Sequence, residues 1–406
     1  MSYLSSLEAQ PILPHQPVLY SYPDRLLRLC VFQAGIYSQG YPGWFERIIH
    51  RIYLVFSKCV CSSKLFNAEI AQERLNNFQT LGAEVEMIVS SGAQIQTISF
   101  RASEFRAKLE GFGASWDKRN VEGKEVLAIT PPAEQPGSWQ AFEAQMIARF
   151  KWEKLDSGLI ITCKDASSIN LEQSPKLFVH CNSASTVSCM LGSRIGFWLG
   201  CGQDICLYDP RGTWNSSGVP SEGGYYQDAD AVLQHEIGKG DHNMSDVWVT
   251  AACGGSCVAG YLKKEHHAEG INMMVESGYV NLNEDFVAHQ AAPVRWFVNR
   301  YHTALYNRII DVEGPRETGF KMDTLWEDLK KHESSRVVVI YPENDEYLPT
   351  PATPDKMVTL AKKVNYQGNV SKISFLSTKK YPHRDRFYDY NGATTQVLQS
   401  VFRREE

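Results

Sequence analysis

Between residues 176 and 402, short, largely apolar runs alternate with segments of helical length, and that alternation leaves few folds open. The runs lie at 176–180, 205–209, 246–251, 271–275, 336–341 and 372–376, with helical stretches near 188–198, 224–235, 256–264, 354–363 and 394–402. A strand that is apolar at every residue, rather than at every second one, has to be covered on both faces, and strands joined through helices run parallel. The expected fold class is therefore α/β, a mostly parallel central sheet flanked by helices. Four further strand-like runs precede this region, at 85–90, 95–100, 125–129 and 159–162.

Two regions fall outside the alternation. From about residue 26 to 79 the pattern is helical, which predicts an N-terminal helical extension over 1–80 ahead of a main domain at 81–406. Within it, Trp44, Phe45, Ile48, Ile49, Ile52, Tyr53 and Phe56 share one helix face, opposite Arg47, Arg51 and Lys58. Such a helix either packs on the main domain or lies on a membrane surface, where Cys59 and Cys61 would be available for lipidation. The second region, about 280–332, is too long for an ordinary strand-to-strand connection and carries Phe286, Trp296, Phe297, Tyr301, Tyr306 and Trp326. It is expected to form a helical lid that shapes the substrate pocket and keeps water out.

Composition narrows the partners. With 406 residues, 43% of them hydrophobic, the chain is able to bury a large core, and its net charge of −5 includes no basic block of the kind nucleic acid requires. Nucleic acid is not an expected partner. Residues 1–10 show no signal-peptide pattern, and the apolar stretch 48–60 is interrupted by His50, Arg51 and Lys58, so no membrane span is predicted. The ten cysteines include no Cys-x-x-Cys pair, which points to free thiols in a reducing, cytoplasmic compartment, with a membrane surface as the alternative location. No metal is expected, because His266-His267 reads as a solvated helix end without further ligands nearby. Nor is a cofactor: Gly200-Cys-Gly202 follows a helical stretch rather than a strand.

Chemistry concentrates in Asp246-Val-Trp-Val-Thr-Ala-Ala-Cys253-Gly-Gly-Ser-Cys-Val-Ala-Gly-Tyr-Leu262, an apolar strand, a run of small residues and then a helix. A nucleophile on a sharp strand-to-helix turn needs small residues two positions to either side, here Ala251 and Gly255. Cys253 would then sit at a helix N-terminus, whose exposed N–H groups and positive dipole end favour the thiolate. Ser256 is the weaker nucleophile, since it falls inside the helix.

These motifs resemble the α/β-hydrolase superfamily. Leu207-Tyr-Asp-Pro-Arg-Gly-Thr-Trp-Asn-Ser-Ser-Gly218 looks like its Arg-Gly loop, and Lys176-Leu-Phe-Val-His-Cys-Asn182 looks like the strand ending in His-Gly-Asn. The branch most resembled holds serine-aminopeptidase-like, monoglyceride-lipase-like and depalmitoylating hydrolases. The resemblance implies a triad of Cys253, Asp345 and His383. Asp345 follows the strand of Arg336-Val-Val-Val-Ile-Tyr-Pro342, and His383 follows the last strand in Tyr381-Pro-His383. It also implies an oxyanion hole formed by the backbone N–H groups of Asn182 and Gly254, with Arg211, Gly212 and His180 as structural members of the site loops.

The sequence departs from the family at the nucleophile, where cysteine replaces serine, at Ala251 and Cys181, and at Trp214, which stands where the family's loop has glycine. On the resemblance, the expected activity is cleavage of an ester, thioester or amide of a small or acylated substrate through an acyl-enzyme. The alternatives are a cysteine protease or deamidase acting on a protein, and a silent hydrolase fold that serves as an interaction module. Asp385 is expected to form an ordinary solvated ion pair with Arg384 or Arg386.

Overall fold

A computed structural model describes residues 68–182, 187–218, 222–280, 322–345, 352–366, 369–379, 382 and 385–402. Helix α1 (Ala68–Leu81) leads into the antiparallel hairpin of β1 (Glu84–Ser90) and β2 (Ala93–Phe100). The hairpin is closed by Ser91 and Gly92 at φ 44° and 80°, the double left-handed turn that matches strand twist. Helix α2 (Ala102–Gly111) follows, then β3 (Ser115–Val121), β4 (Lys124–Thr130), α3 (Gly137–Phe150), β5 (Glu153–Lys154) and β6 (Ile160–Cys163). These strands form a separate four-stranded antiparallel sheet in the order β3-β4-β6-β5. Only two of its strands stand out as apolar runs in the sequence, because β3, Ser-Trp-Asp-Lys-Arg-Asn-Val, has one fully buried side chain, Trp116.

The chain then alternates: β7 (Leu177–Cys181), α4 (Gly192–Gly200), β8 (Asp204–Asp209), α5 (Glu222–Gly238), β9 (Val247–Ala252), α6 (Ser256–Glu265) and β10 (Asn272–Glu276). After the short α7 (Met322–Leu325) come β11 (Val337–Pro342), α8 (Ala352–Val364), β12 (Val370–Phe375) and α9 (Asn391–Phe402). The main sheet has the order β1-β2-β8-β7-β9-β10-β11-β12, antiparallel from β1 to β8 and parallel from β8 to β12.

Side-chain alternation on the central strands divides the core in two. Phe178, Ile205, Leu207, Trp248, Met274 and Val338 face α1, α3, α4, α9 and the second sheet. Their neighbours Leu177, Val179, Cys206, Val247, Val249 and Val339 face α5, α6, α7 and α8. Every residue of β7, β8, β9, β10 and β11 is buried, the condition that makes these runs largely apolar. Trp198 is fully buried and stacks on Phe178 with ring centroids 3.8 Å apart.

Of the predicted N-terminal extension, α1 packs on this core, and Glu73 pairs with Arg149 of α3 at 2.6 Å. The amphipathic segment with Cys59 and Cys61 lies outside the described residues, as does residues 281–321 of the expected lid. Among the described residues no helix is long and apolar enough to cross a membrane.

One expectation fails at the end of α6. His266 and His267 are both buried: His266 bonds Asp230 and Glu269, each at 2.7 Å, and His267 bonds the Lys330 carbonyl oxygen at 2.6 Å. The stretch after α7 covers that helix end, which a reading by local polarity has no means of seeing.

Lys263 on the same helix has no exposed surface and donates to the Ile271 carbonyl oxygen at 2.7 Å. Burial pushes its pKa from 10.5 down to about 7. Between those two values the unfolded chain holds a proton that the folded chain has released. Stability should therefore rise with pH across this window, by at most roughly 1.4 kcal/mol per unit, and be flat in this contribution below it. Lys263→Met is expected to lose that slope and to melt higher than the parent at pH 7.5, as thermal denaturation of the two proteins across pH 6.5–9.5 would reveal.

Candidate active site

The strand-to-helix turn after β9 carries the strongest local signature. Cys253 has φ 53°, a left-handed conformation that side chains other than glycine seldom adopt, and it is the partly exposed cysteine among described cysteines that are otherwise buried. Holding a non-glycine residue there costs on the order of 1–3 kcal/mol and persists only where the surroundings enforce it. The enforcement is visible. A Cβ on Gly255 would lie 2.3 Å from the Cys181 carbonyl oxygen and 2.8 Å from that of Asn182, so this glycine lets the turn press against the end of β7. On the other side, Ala251 and Ala252 are 1% and 4% exposed.

Ser256 is fully buried, its hydroxyl donating to the Tyr279 carbonyl oxygen at 3.0 Å and accepting the Tyr279 N–H at 2.9 Å. It is a helix-start anchor.

Asn182 follows β7 directly. Its amide donates to the Tyr208 carbonyl oxygen at 2.8 Å and to the Ser188 hydroxyl at 2.9 Å. Buried Asp209 accepts from the Ser188 N–H at 2.8 Å, so the end of β8 is tied to Asn182 and to Ser188. Arg211 and Gly212 lie just beyond. The Arg211 guanidinium grips Asp228 of α5 at 2.6 Å and its own N–H donates to the same carboxylate at 2.8 Å, an anchoring arrangement. Trp214, which stands where the resembled loop has glycine, has φ 49°, in the left-handed region. His180 is 1% exposed and bonds the Thr250 hydroxyl at 2.9 Å; burial, with the charges of Arg194 and Arg386, keeps its pKa well below the usual value, so it is neutral.

Asp345 lies three residues past the end of β11, is 7% exposed, and donates its N–H to the Pro342 carbonyl oxygen at 3.3 Å. Its neighbour Asn344 exchanges two hydrogen bonds with the backbone of Ser377, at 3.0 and 3.1 Å, which joins the loop after β11 to the loop after β12. The sheet thus brings Cys253 and Asp345 to one edge, at the C-terminal ends of parallel strands two apart. His383 lies outside the described residues.

Asp385 departs from the expected solvated pair. It is fully buried and takes Ser377 at 2.7 Å, Lys379 at 2.5 Å and the Tyr390 hydroxyl, leaving Arg386 to turn elsewhere. Burial works against its charge, yet these donors hold its pKa below the usual carboxylate range.

A charged cluster that the sequence reading missed lies beside the turn. Glu276 ends β10 in register with Ala252, the residue before Cys253. It is 1% exposed and pairs with the equally buried Arg194 of α4; its other oxygen accepts the Phe387 N–H at 3.2 Å, and Arg386 stands 3.7 Å away. Burial opposes the Arg386 charge, but Glu276, Tyr388, Cys253 and Asp385 together keep its pKa above the ordinary value. The available signal was a charge in each of two apolar elements, Arg194 in Gly-Ser-Arg-Ile-Gly-Phe-Trp-Leu-Gly and Glu276 after Asn-Met-Met-Val.

No family model matches this chain, and no curated protein sequence matches it. Among solved structures, an α/β hydrolase from Vibrio vulnificus is similar with a TM-score of 0.51 at 12% identity, over 82% of this chain and 86% of that one. The fold is that of the α/β-hydrolases. An acetyl xylan esterase from Paenibacillus sp. R4 is similar with a TM-score of 0.39 at 12% identity, covering 82% of this chain and 93% of the other. An α/β serine hydrolase homologue from Coxiella burnetii is similar with a TM-score of 0.38 at 10% identity, covering 80% and 97%. At such identities the likeness carries the fold alone, and the chemistry has to be argued from the residues of the site.

Proposed function

We propose that this α/β-hydrolase-fold chain is a cysteine-dependent hydrolase that cleaves an ester, thioester or amide through an acyl-enzyme on Cys253. The observation that carries the reading is the left-handed conformation of Cys253 at the tip of a strand-to-helix turn, pressed by Gly255 against the loop that holds Asn182. Strained backbone of this kind clusters at functional sites, and a nucleophile on a sharp strand-to-helix turn is one of its uses.

In the proposed mechanism His383 accepts the Cys253 thiol proton and Asp345 orients the imidazole. The thiolate adds to the substrate carbonyl, and the N–H groups of Asn182 and Gly254 stabilise the oxyanion. Collapse breaks the bond to the leaving group, which takes the proton from His383. Water, deprotonated by the same imidazole, then attacks the thioester, releasing the acid and restoring the thiol.

The test is to trap the intermediate. Brief exposure to p-nitrophenyl butyrate or to an acyl thioester, quenched in acid, should add one acyl group that maps to the Cys253 peptide and is removed by neutral hydroxylamine. Absence of both turnover and adduct across short and long acyl donors would leave the interaction-module reading.

A further inference from the structure

We propose that Arg386 is a substrate-recognition residue beside Cys253, and that the preferred substrates are acyl compounds bearing an anionic group, a carboxylate or a phosphate, that the guanidinium binds. The inference rests on the hydrolase reading of Cys253 and adds the substrate class.

The argument starts from a count of charges and donors. Two guanidinium groups, Arg194 and Arg386, share one carboxylate, Glu276, with the neutral ring of His180 beside them. Glu276 is already engaged: Arg194 hydrogen-bonds one oxygen and the Phe387 N–H the other. Arg386 reaches it only at 3.7 Å, beyond hydrogen-bonding distance, and its guanidinium makes no hydrogen bond to another described residue. The adjacent acid is taken as well, since Asp385 is bound by Ser377, Lys379 and Tyr390.

Exposure separates the two arginines. The Arg194 side chain is 2% exposed and serves the interior, whereas that of Arg386 is 24% exposed. The parallel register of β9 and β10 puts Glu276 level with Ala252, so the Arg386 fork stands next to the turn that presents Cys253. A partly desolvated guanidinium whose N–H groups no described residue takes matches a carboxylate or phosphate in charge and in planar two-point geometry, and binds it more strongly than a fully hydrated surface arginine would.

Matched substrates decide between this and a merely structural role. For an anion on the acyl side, glutaryl and pentanoyl thioesters of N-acetylcysteamine are compared; for one on the leaving side, butyryl phosphopantetheine and butyryl pantetheine. In at least one pair the anionic member should be preferred in kcat/KM by tenfold or more, through a lower KM, and the preference should shrink as ionic strength rises. Arg386→Gln should collapse that ratio to near one, and Arg386→Lys should restore part of it, with melting temperatures measured on both. The salt dependence is read on the parent protein and holds whether or not the variants fold. Equal rates within both pairs, or a parallel fall for anionic and neutral members in Arg386→Gln, would overturn the proposal while leaving the hydrolase reading intact. No turnover of any of the four compounds would instead count against the hydrolase reading.

Discussion

Cys253→Ala is expected to lower kcat/KM for any hydrolysed acyl donor by about 10³-fold or more, because the substitution removes the atom that bonds to the substrate rather than a group that assists it. The fold should survive the change, since Cys253 is partly exposed, packs only at the margin of the core, and loses a single sulfur atom. A companion variant sharpens the reading. Cys253→Gly would relieve the left-handed φ of 53°, so it should be as inactive as the alanine variant but more stable by about 1 kcal/mol. Hydrolysis rates and denaturant midpoints on the three proteins test both halves. Activity in Cys253→Ala within tenfold of the parent would remove this thiol from the chemistry.

Gly255→Ala should be the most damaging single-methyl change in the site. The added carbon would meet two carbonyl oxygens, of Cys181 and Asn182, at 2.3 and 2.8 Å, and neither backbone atom belongs to a flexible side chain that can swing aside. Either the turn lifts off the end of β7 or the strand end moves, and both separate Cys253 from Asn182. Overpacking of this kind costs about 1–3 kcal/mol, and displacing the nucleophile by about an ångström costs about 10²-fold in rate. Gly137→Ala is the control: nothing lies within 4 Å of a Cβ there, and that variant should match the parent in melting temperature and in kcat/KM. A Gly255→Ala protein with parental rates would show that the contact between the turn and β7 does not position the thiol.

How much of this was legible in the sequence depends on whether the signal was local. The strands β7 to β11 announce themselves because burial on both faces leaves each one a largely apolar run, and the turn at Cys253 announces itself because steric crowding admits only small neighbours. The antiparallel sheet between β2 and β7 was half hidden, since β3 is mostly half-exposed and its polar residues look like a loop. His266, His267 and Asp385 were read as solvated because each is polar and flanked by polar residues; what buries them, the stretch after α7 and the Lys379 and Tyr390 side chains, is distant or not implied by spacing. The Arg194–Glu276 pair joins residues 82 positions apart, and with Arg386 it forms a cluster that only the folded sheet assembles.

The paired hydrogen bonds between Asn344 and Ser377 carry one more consequence. They clasp the segment bearing Asp345 to the segment leaving β12, so a displacement of one strains its bonds to the other. A substitution such as Asn344→Ala would open that seam, and its effect should be felt at Asp345 and at Ser377 alike.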